Sequence, residues 1–265
     1  MRNFVKAVAY QLLGKELAQA IARGVRNERR VFSEVRLAFD YFRETGKAGT
    51  LIDVGAHTGE SFAPFLRLGW RVVAFEPDPE NRRVIAEKGL DRGITLLPHA
   101  VSDREEDDVP FYSSSESSGI SSLSAFRPSH REVARVKVVT LQRIASEQNI
   151  FTVDFLKIDT EGHDYFVLKG FPWEKMHAEI VVCEFEDSKT EPLGYTYRDL
   201  GGYLMERRYT VFLSEWYPVV RYGGNHHWRS FKRYPVILTD PRGWGNFVAA
   251  RSAEAAGYFS KLVTE

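Results

Sequence analysis

Two acids and a turn almost free of side chains are the first residues in this chain whose types and spacing could do chemistry. The stretch "LIDVGAHTGE" (51–60) carries an apolar run through Asp53 into a turn with Gly55 and Gly59. A loop that leaves a strand and enters a helix offers backbone N–H groups and the positive end of a dipole, so it can seat an anion. Glu76 ends the next apolar run, "VVAFEPD", with Pro77 behind it. An acid about 20 residues past such a turn can accept both hydroxyls of a ribose. The order Gly55-Ala56-His57-Thr58-Gly59 does not meet the G-x-G-x-x-G pattern of dinucleotide sites, and Glu60 at the helix start would repel a pyrophosphate. A ligand with a carboxylate for the N–H groups, a cationic centre for the acids and a ribose for Glu76 fits better. S-adenosylmethionine has that pattern.

A second set lies in "FLKIDTEGHD" (155–164), which ends an apolar run with Lys157, Asp159, Glu161, His163 and Asp164. On one strand, residues 157, 159 and 161 share a face while Leu156 and Ile158 pack on the other. Charged groups there are costly unless paired, so Lys157 is expected to pair with Asp159 or Glu161. With S-adenosylmethionine as the ligand, the chemistry in reach is methyl transfer from a sulfonium to an acceptor. That step needs alignment, exclusion of water and a base for the acceptor's proton. Candidate bases are Asp159, Glu161 and His163, with Glu184 at the end of "AEIVVCEFE" and His226 further on. Acids from two neighbouring strand ends could instead hold Mg²⁺ and acidify the hydroxyl; a metal-independent site is the reading preferred.

A third set is the aromatic stretch "SEWYPVVRYGGNHHWRSFKRYPVIL" (214–238). Trp216, Tyr217, His227, Trp228 and Arg229 could stack on or bind an acceptor, and the same residues could equally form a packed hairpin or a dimer contact. His226 and His227 are adjacent, so they cannot make the i, i+4 pair of a helical zinc site.

The elements that must position these groups follow from periodicity. Residues 1–47 read as helical and end at "TGKAG". From residue 48 to 265, strands alternate with helices: "TLIDVG", "RVVAFEP", "ITLLPHAVS", "VDFLKIDTEG", "AEIVVCEFE", "TVFLSEW" and "GNFVAARS" are the seven strands of one domain. That alternation predicts a doubly wound α/β sheet with ligands at the carboxyl ends of the strands. The serine run "SSSESSGISSLS" (113–124) sits between strand-like segments and reads as an ordered or ligand-ordered loop within that domain.

The blocks "LIDVGAHTGE", "VVAFEPDPEN", "HAVSD", "VKVVTLQRI" and "DFLKIDTEGHDYFVLKGF" occur in order, over roughly 48–187. In these the chain resembles the FkbM-type S-adenosylmethionine-dependent methyltransferases. The resemblance implies a seven-stranded, mostly parallel sheet with a reversed last strand. It also implies methyl transfer usually to oxygen, often on sugars or other hydroxylated metabolites. By the same resemblance Asp53, Gly55 and Gly59 line the methionine end of the cofactor, Glu76 holds its ribose, and Val101 and Ser102 flank its adenine. His57, Pro77 and Asp159 complete the expected contacts. His57 stands where the family often has Asn, Asp164 where it commonly has Glu, and Gln142 where it often has an acid.

Bulk properties narrow the remaining classes. Lys plus Arg and Asp plus Glu balance at 36 each, so no net field points to nucleic acid or an anionic membrane. Cys183 is the only cysteine, which excludes an internal disulfide and suits a reducing, cytoplasmic setting. No stretch reaches the roughly 20 apolar residues of a spanning helix. Phe4, Val5, Val8 and Leu12 fall at helical spacing, for packing on the domain or a second subunit in a homodimer, or for peripheral contact with a membrane. Two alternatives stand beside methyl transfer: a nicotinamide oxidoreductase, which the unmet glycine pattern opposes, and a silent binding module, which has no need of Asp53, the turn and Glu76 together.

Overall fold

The computed structural model describes residues 32–264. The helix expected around Phe4, Val5, Val8 and Leu12 lies outside the described residues. The unit that carries the sheet begins at Glu34, not near residue 48, because helix α1 (Glu34–Thr45) packs into its core. Phe42 of α1 lies edge-on to Trp70 at 4.7 Å and against Phe155 at 6.2 Å.

Strand–helix units follow: β1 (Thr50–Val54), α2 (Ala63–Arg67), β2 (Arg71–Phe75), α3 (Pro79–Glu87) and β3 (Thr95–Leu97). An excursion contains β4 (Ala100–Val101), β5 (Glu106–Ser114) and β6 (His130–Val139). The chain then forms α4 (Leu141–Glu147), β7 (Val153–Ile158), α5 (Asp164–Lys169), β8 (Ala178–Glu186), α6 (Asp187–Thr190) and α7 (Tyr197–Glu206). It closes with β9 (Thr210–Trp216), β10 (Trp228–Arg233), β11 (Trp244–Ala250) and α8 (Ala253–Ser260).

The main sheet has the order β10-β9-β11-β8-β7-β1-β2-β3. Strands β3, β2, β1, β7 and β8 pair in parallel, and β11 runs antiparallel between β8 and β9. The doubly wound sheet and its reversed last strand are as expected; the strand count is eight, not seven. The extra strand, β10, comes from the aromatic stretch and pairs antiparallel with β9. Phe231 on β10 is fully buried and stacks on Phe212 of β9, with 5.4 Å between ring centres. The run "ITLLPHAVS" is likewise two strands. Pro98 breaks it, since proline cannot donate to a ladder; β3 stays in the main sheet and β4 joins β6 and β5 in a second, three-stranded one.

The period of two decides which residues face which layer. Ile52, Val54, Val73, Phe75, Leu156 and Ile158 point to one side. There they share a core with Leu141 and Ile144 of α4, Leu168 of α5 and Leu200 and Leu204 of α7. Phe155 points the other way, to Phe42 of α1 and Phe65 of α2. Strand order reverses at β1, so a crevice opens above the carboxyl ends of β1, β2 and β7. None of the described helices is long and apolar enough to cross a membrane.

Candidate active site

That crevice is a cleft of about 690 Å³, mouth included. Glu76, one residue past β2, lines it while only 3% exposed. Its Oε2 accepts the backbone N–H of His57 at 2.6 Å, and its Oε1 accepts that of Asp78 at 2.9 Å and Asn81 Nδ2 at 3.4 Å. Burial pushes its pKa up to about 7 against the pull of those donors. The carboxylate is therefore fixed from behind and short of water in front, a rigid acceptor for a pair of hydroxyls. Asn81 was not among the expected residues. Its signal is its place on the first turn of α3, which Asp78 caps by accepting the Glu80 N–H at 2.9 Å.

The glycine turn is shaped by the protein itself. Gly55 has φ +79°, and a Cβ there would fall 1.9 Å from the Asp159 carbonyl oxygen; a Cβ at Gly59 would meet the Phe62 ring at 2.9 Å. The N–H groups of Gly55 and Ala56 both donate to the Phe75 carbonyl at 3.0 Å, and that of Gly59 to the Ala56 carbonyl at 2.8 Å. With His57 N–H on Glu76, these four donors are committed, and α2 starts only at Ala63. None of these four is left for the carboxylate expected at the turn. Gly55, His57 and Pro77 line the cleft, whereas Gly59 lies off it.

Asp53, expected at the methionine end, does not itself line the cleft. It is fully buried behind the cleft, opposite Lys157 in the β1–β7 register. Lys157 Nζ lies 3.3 Å from Asp53 Oδ1, an ion contact without hydrogen-bond alignment, and donates to the Gly55 carbonyl at 2.5 Å. It also reaches Asp159 Oδ2 at 3.6 Å. Ser61 Oγ donates to Asp53 Oδ2. Burial raises the Asp53 pKa, while Lys157, though burial opposes its charge, is held above its ordinary value by Asp53 and Asp159. Asp53 thus supports Gly55 and Asp159 through Lys157.

At the other end of the cleft stand Asp159, Glu161 and His163. β7 stops at Ile158, so the strand alternation expected to carry residues 159 and 161 does not hold. Glu161 sits at φ +55°, in the left-handed region that L side chains enter at a cost of about 1–3 kcal/mol, often at functional sites. It pairs with Lys189 rather than Lys157. Burial lifts its pKa to about 7, with Lys189 pulling it down. His163 Nε2 lies 3.0 Å from Ser124 Oγ, its buried Nδ1 has no partner, and burial lowers its pKa to about 4, so the ring is neutral. Asp164 lies beneath and clasps β7 to β8, accepting the Thr160 hydroxyl at 2.8 Å and the Glu184 N–H at 2.9 Å. Glu184 and His226 do not line the cleft; Glu184 faces Lys189, and His226 lies edge-on to Trp244 at 5.2 Å.

The serine run is the roof. Ser118, Gly119 and Ser121 line the cleft from above. Ser118 Oγ meets His57 Nε2 at 2.9 Å, Ser121 Oγ donates to Asp78 Oδ2 at 3.4 Å, and Ser122 Oγ donates to the Glu161 carbonyl at 3.2 Å. Short hydroxyl side chains, able to donate or accept, clip the loop to the segments after β1, β2 and β7. Val101, Phe111 and Leu123 form an apolar wall, and His99 stands beside them. Ser102 lies behind that wall, 3% exposed, its N–H donating to the Val139 carbonyl at 3.0 Å.

The residues expected to bind acceptor on the aromatic stretch fall elsewhere. Trp216 Nε1 donates to Glu34 at 2.8 Å in the core, and Trp228 Nε1 donates to Ser214 Oγ at 3.1 Å. Arg229 lies over the Tyr217 ring at 4.7 Å. Tyr217 and His227 are exposed, and none of the five lines the cleft. The packed hairpin is what these residues form. Tyr222, nearer its tip, donates to Glu186 at 3.1 Å.

Among the comparisons with known proteins, the family match is the decisive one. The model of the methyltransferase FkbM domain matches residues 53–211. No curated protein matches the chain. Among solved structures, the chain is similar to precorrin-6Y C5,15-methyltransferase from Geobacter metallireducens (12% identity, 82% of this chain and 87% of that one, TM-score 0.40). It is also similar to an rRNA methylase from Streptococcus thermophilus (8%, 84% and 99%, TM-score 0.43) and to cofactor-bound Rv0187 from MTB (12%, 92% and 94%, TM-score 0.42). The cleft, on a sheet with a reversed last strand, is that of an S-adenosylmethionine-dependent methyltransferase. More particularly, with more than half of its length matched, the chain belongs to the FkbM-domain methyltransferases.

Proposed function

We propose that this methyltransferase acts on oxygen, with a hydroxyl of a sugar, glycan precursor or related metabolite as acceptor. The observation that carries the proposal is that Glu76 at one end, and Asp159 with Glu161 at the other, line one cleft. The residues fit the cofactor. The fixed carboxylate of Glu76 suits a ribose diol, the wall of Val101, Phe111 and Leu123 suits a purine, and Asp159 and Glu161 suit a cationic centre. S-adenosylmethionine, when bound, supplies a methyl group on a sulfonium.

The chain's own residues do the rest. The serine roof excludes water from the cleft. Lys157 holds Asp159 at 3.6 Å beside the acceptor end. Glu161, with its pKa near neutrality, takes the acceptor's proton on a carboxylate oxygen; the bond formed to the acceptor oxygen would replace the methyl–sulfur bond, with the neutral thioether as leaving group. One negative charge is lost from the carboxylates as the sulfonium's positive charge is lost, so the buried site keeps its balance.

Calorimetric titration with S-adenosylhomocysteine, beside NAD, is the first test. Micromolar binding of the former alone is expected, and binding of neither would remove the reading. A transfer screen of matched hydroxyl and amine acceptors then decides the rest; methylation of amines only would overturn the assignment to oxygen.

A further inference from the structure

The carboxyl ends of β7 and β8 hold a cluster in which the transfer chemistry above gives a role to Glu161 alone. Lys189 of α6 is 5% exposed, and its ammonium stands among three carboxylates. Glu186 lies at 2.8 Å and Glu184 at 3.4 Å, and Glu161 Oε2 accepts a shorter hydrogen bond from the same nitrogen. The rings of Phe126 and Tyr222 face it at 5.4 and 5.6 Å. Three carboxylates exceed what a buried lysine needs for one ion pair, and two of them belong to a second grouping. One oxygen from each of Asp159, Glu161 and Glu184 lies within 4.8 Å of the others. Oxygen ligands roughly 2.0–2.6 Å from a shared divalent ion have such spacing.

We propose that the Lys189 ammonium is the resident cation of the acceptor end: it holds Glu161 and Glu184 where a divalent metal would otherwise bind, keeps the site metal-free, and fixes Glu161 at the wall of the cleft. This rests on the reading of Glu161 as the proton acceptor and names the residue that positions it. An ammonium suits that task differently from Mg²⁺. It donates hydrogen bonds to the carboxylates and carries no open coordination site for the acceptor oxygen, so deprotonation falls to a carboxylate.

The test is Mn²⁺ titration of the full chain, read from the electron paramagnetic resonance of the free ion. Lys189→Met should bind one Mn²⁺ at least tenfold more tightly than the unaltered protein, and adding Glu184→Gln should abolish the gain. Lys189→Arg, which keeps the charge, should stay at the unaltered level. Equal Mn²⁺ binding by the unaltered protein and folded Lys189→Met would overturn the proposal. Should Lys189→Met fail to fold, the unaltered protein decides: the Lys189 Nζ resonance is expected to stay sharp when Mn²⁺ is added, and its broadening at substoichiometric metal would overturn the proposal. S-adenosylhomocysteine affinity, measured on the same samples, separates the two ideas. A protein that binds it but fails the Mn²⁺ pattern refutes the role of Lys189 alone.

Discussion

Glu76 is caught between two opposing effects. Fixed donors from His57 and Asp78 favour its ionised form, and burial opposes it strongly enough to leave its pKa at about 7. Ribose hydroxyls donate to the carboxylate and so should bind its ionised form. Glu76→Ala should weaken S-adenosylhomocysteine binding tenfold or more, since charge-assisted hydrogen bonds are worth about 1.5–3 kcal/mol. The unaltered protein should bind about tenfold more tightly at pH 8 than at pH 6, because the ionised fraction rises by that factor across a pKa near 7. Glu76→Gln should flatten the profile. A flat profile in the unaltered protein, by calorimetry, would separate Glu76 from the ligand.

At the scale of elements, the β9–β10 hairpin and the serine loop divide the labour. The hairpin is structural: Phe231 stacks on Phe212, and Trp216 bonds to Glu34. Phe231→Ala should cost about 3–5 kcal/mol of stability in urea unfolding, as truncation of a buried phenylalanine does. It should leave S-adenosylhomocysteine affinity unchanged, since β10 does not line the cleft. A large loss of affinity in the folded variant would mean that the hairpin shapes the site. The serine loop has the opposite character, with Ser118, Ser121 and Ser122 spending their hydroxyls on the three loops that surround the cleft.

For the whole molecule, the buried acids set an unusual dependence on pH. Burial raises Glu76 and Glu161 to about 7 and Asp164 to about 6. Each has a higher pKa folded than unfolded, so the folded state binds more protons in the interval between. The stability these groups confer is fully present below their unfolded values, near 4, and is lost as pH rises through 6 to 7. The ligand-free protein should therefore melt at a lower temperature at pH 8 than at pH 5, and Glu76→Gln with Glu161→Gln should reduce the difference. A melting temperature that rises over this range would show that buried His163, whose pKa is lowered from 6.5 to about 4 and whose stability contribution is lost as pH falls, outweighs the acids instead.

How much of this was legible beforehand depends on the distance over which each signal acts. Alternating strands and helices, the glycine turn, Glu76 and the block around Asp159 are local patterns, and they were sufficient to establish the fold class and the family. A period of two or a spacing of residues is set by backbone geometry within one element. The family resemblance made Asp53 a lining residue, and the local view left Trp216 open between a substrate contact, a packed hairpin and a dimer contact, because an aromatic near a turn looks alike whether it faces ligand or core. Tertiary packing alone placed them. It set Lys157 behind Asp53, clipped a serine run over the cleft, and turned the aromatic stretch into an eighth strand. It also carried Lys189 to Glu161, 28 residues away in the chain. Such meetings follow from which faces of the sheet are buried and how the loops at its carboxyl edge fold back. No short-range pattern encodes them.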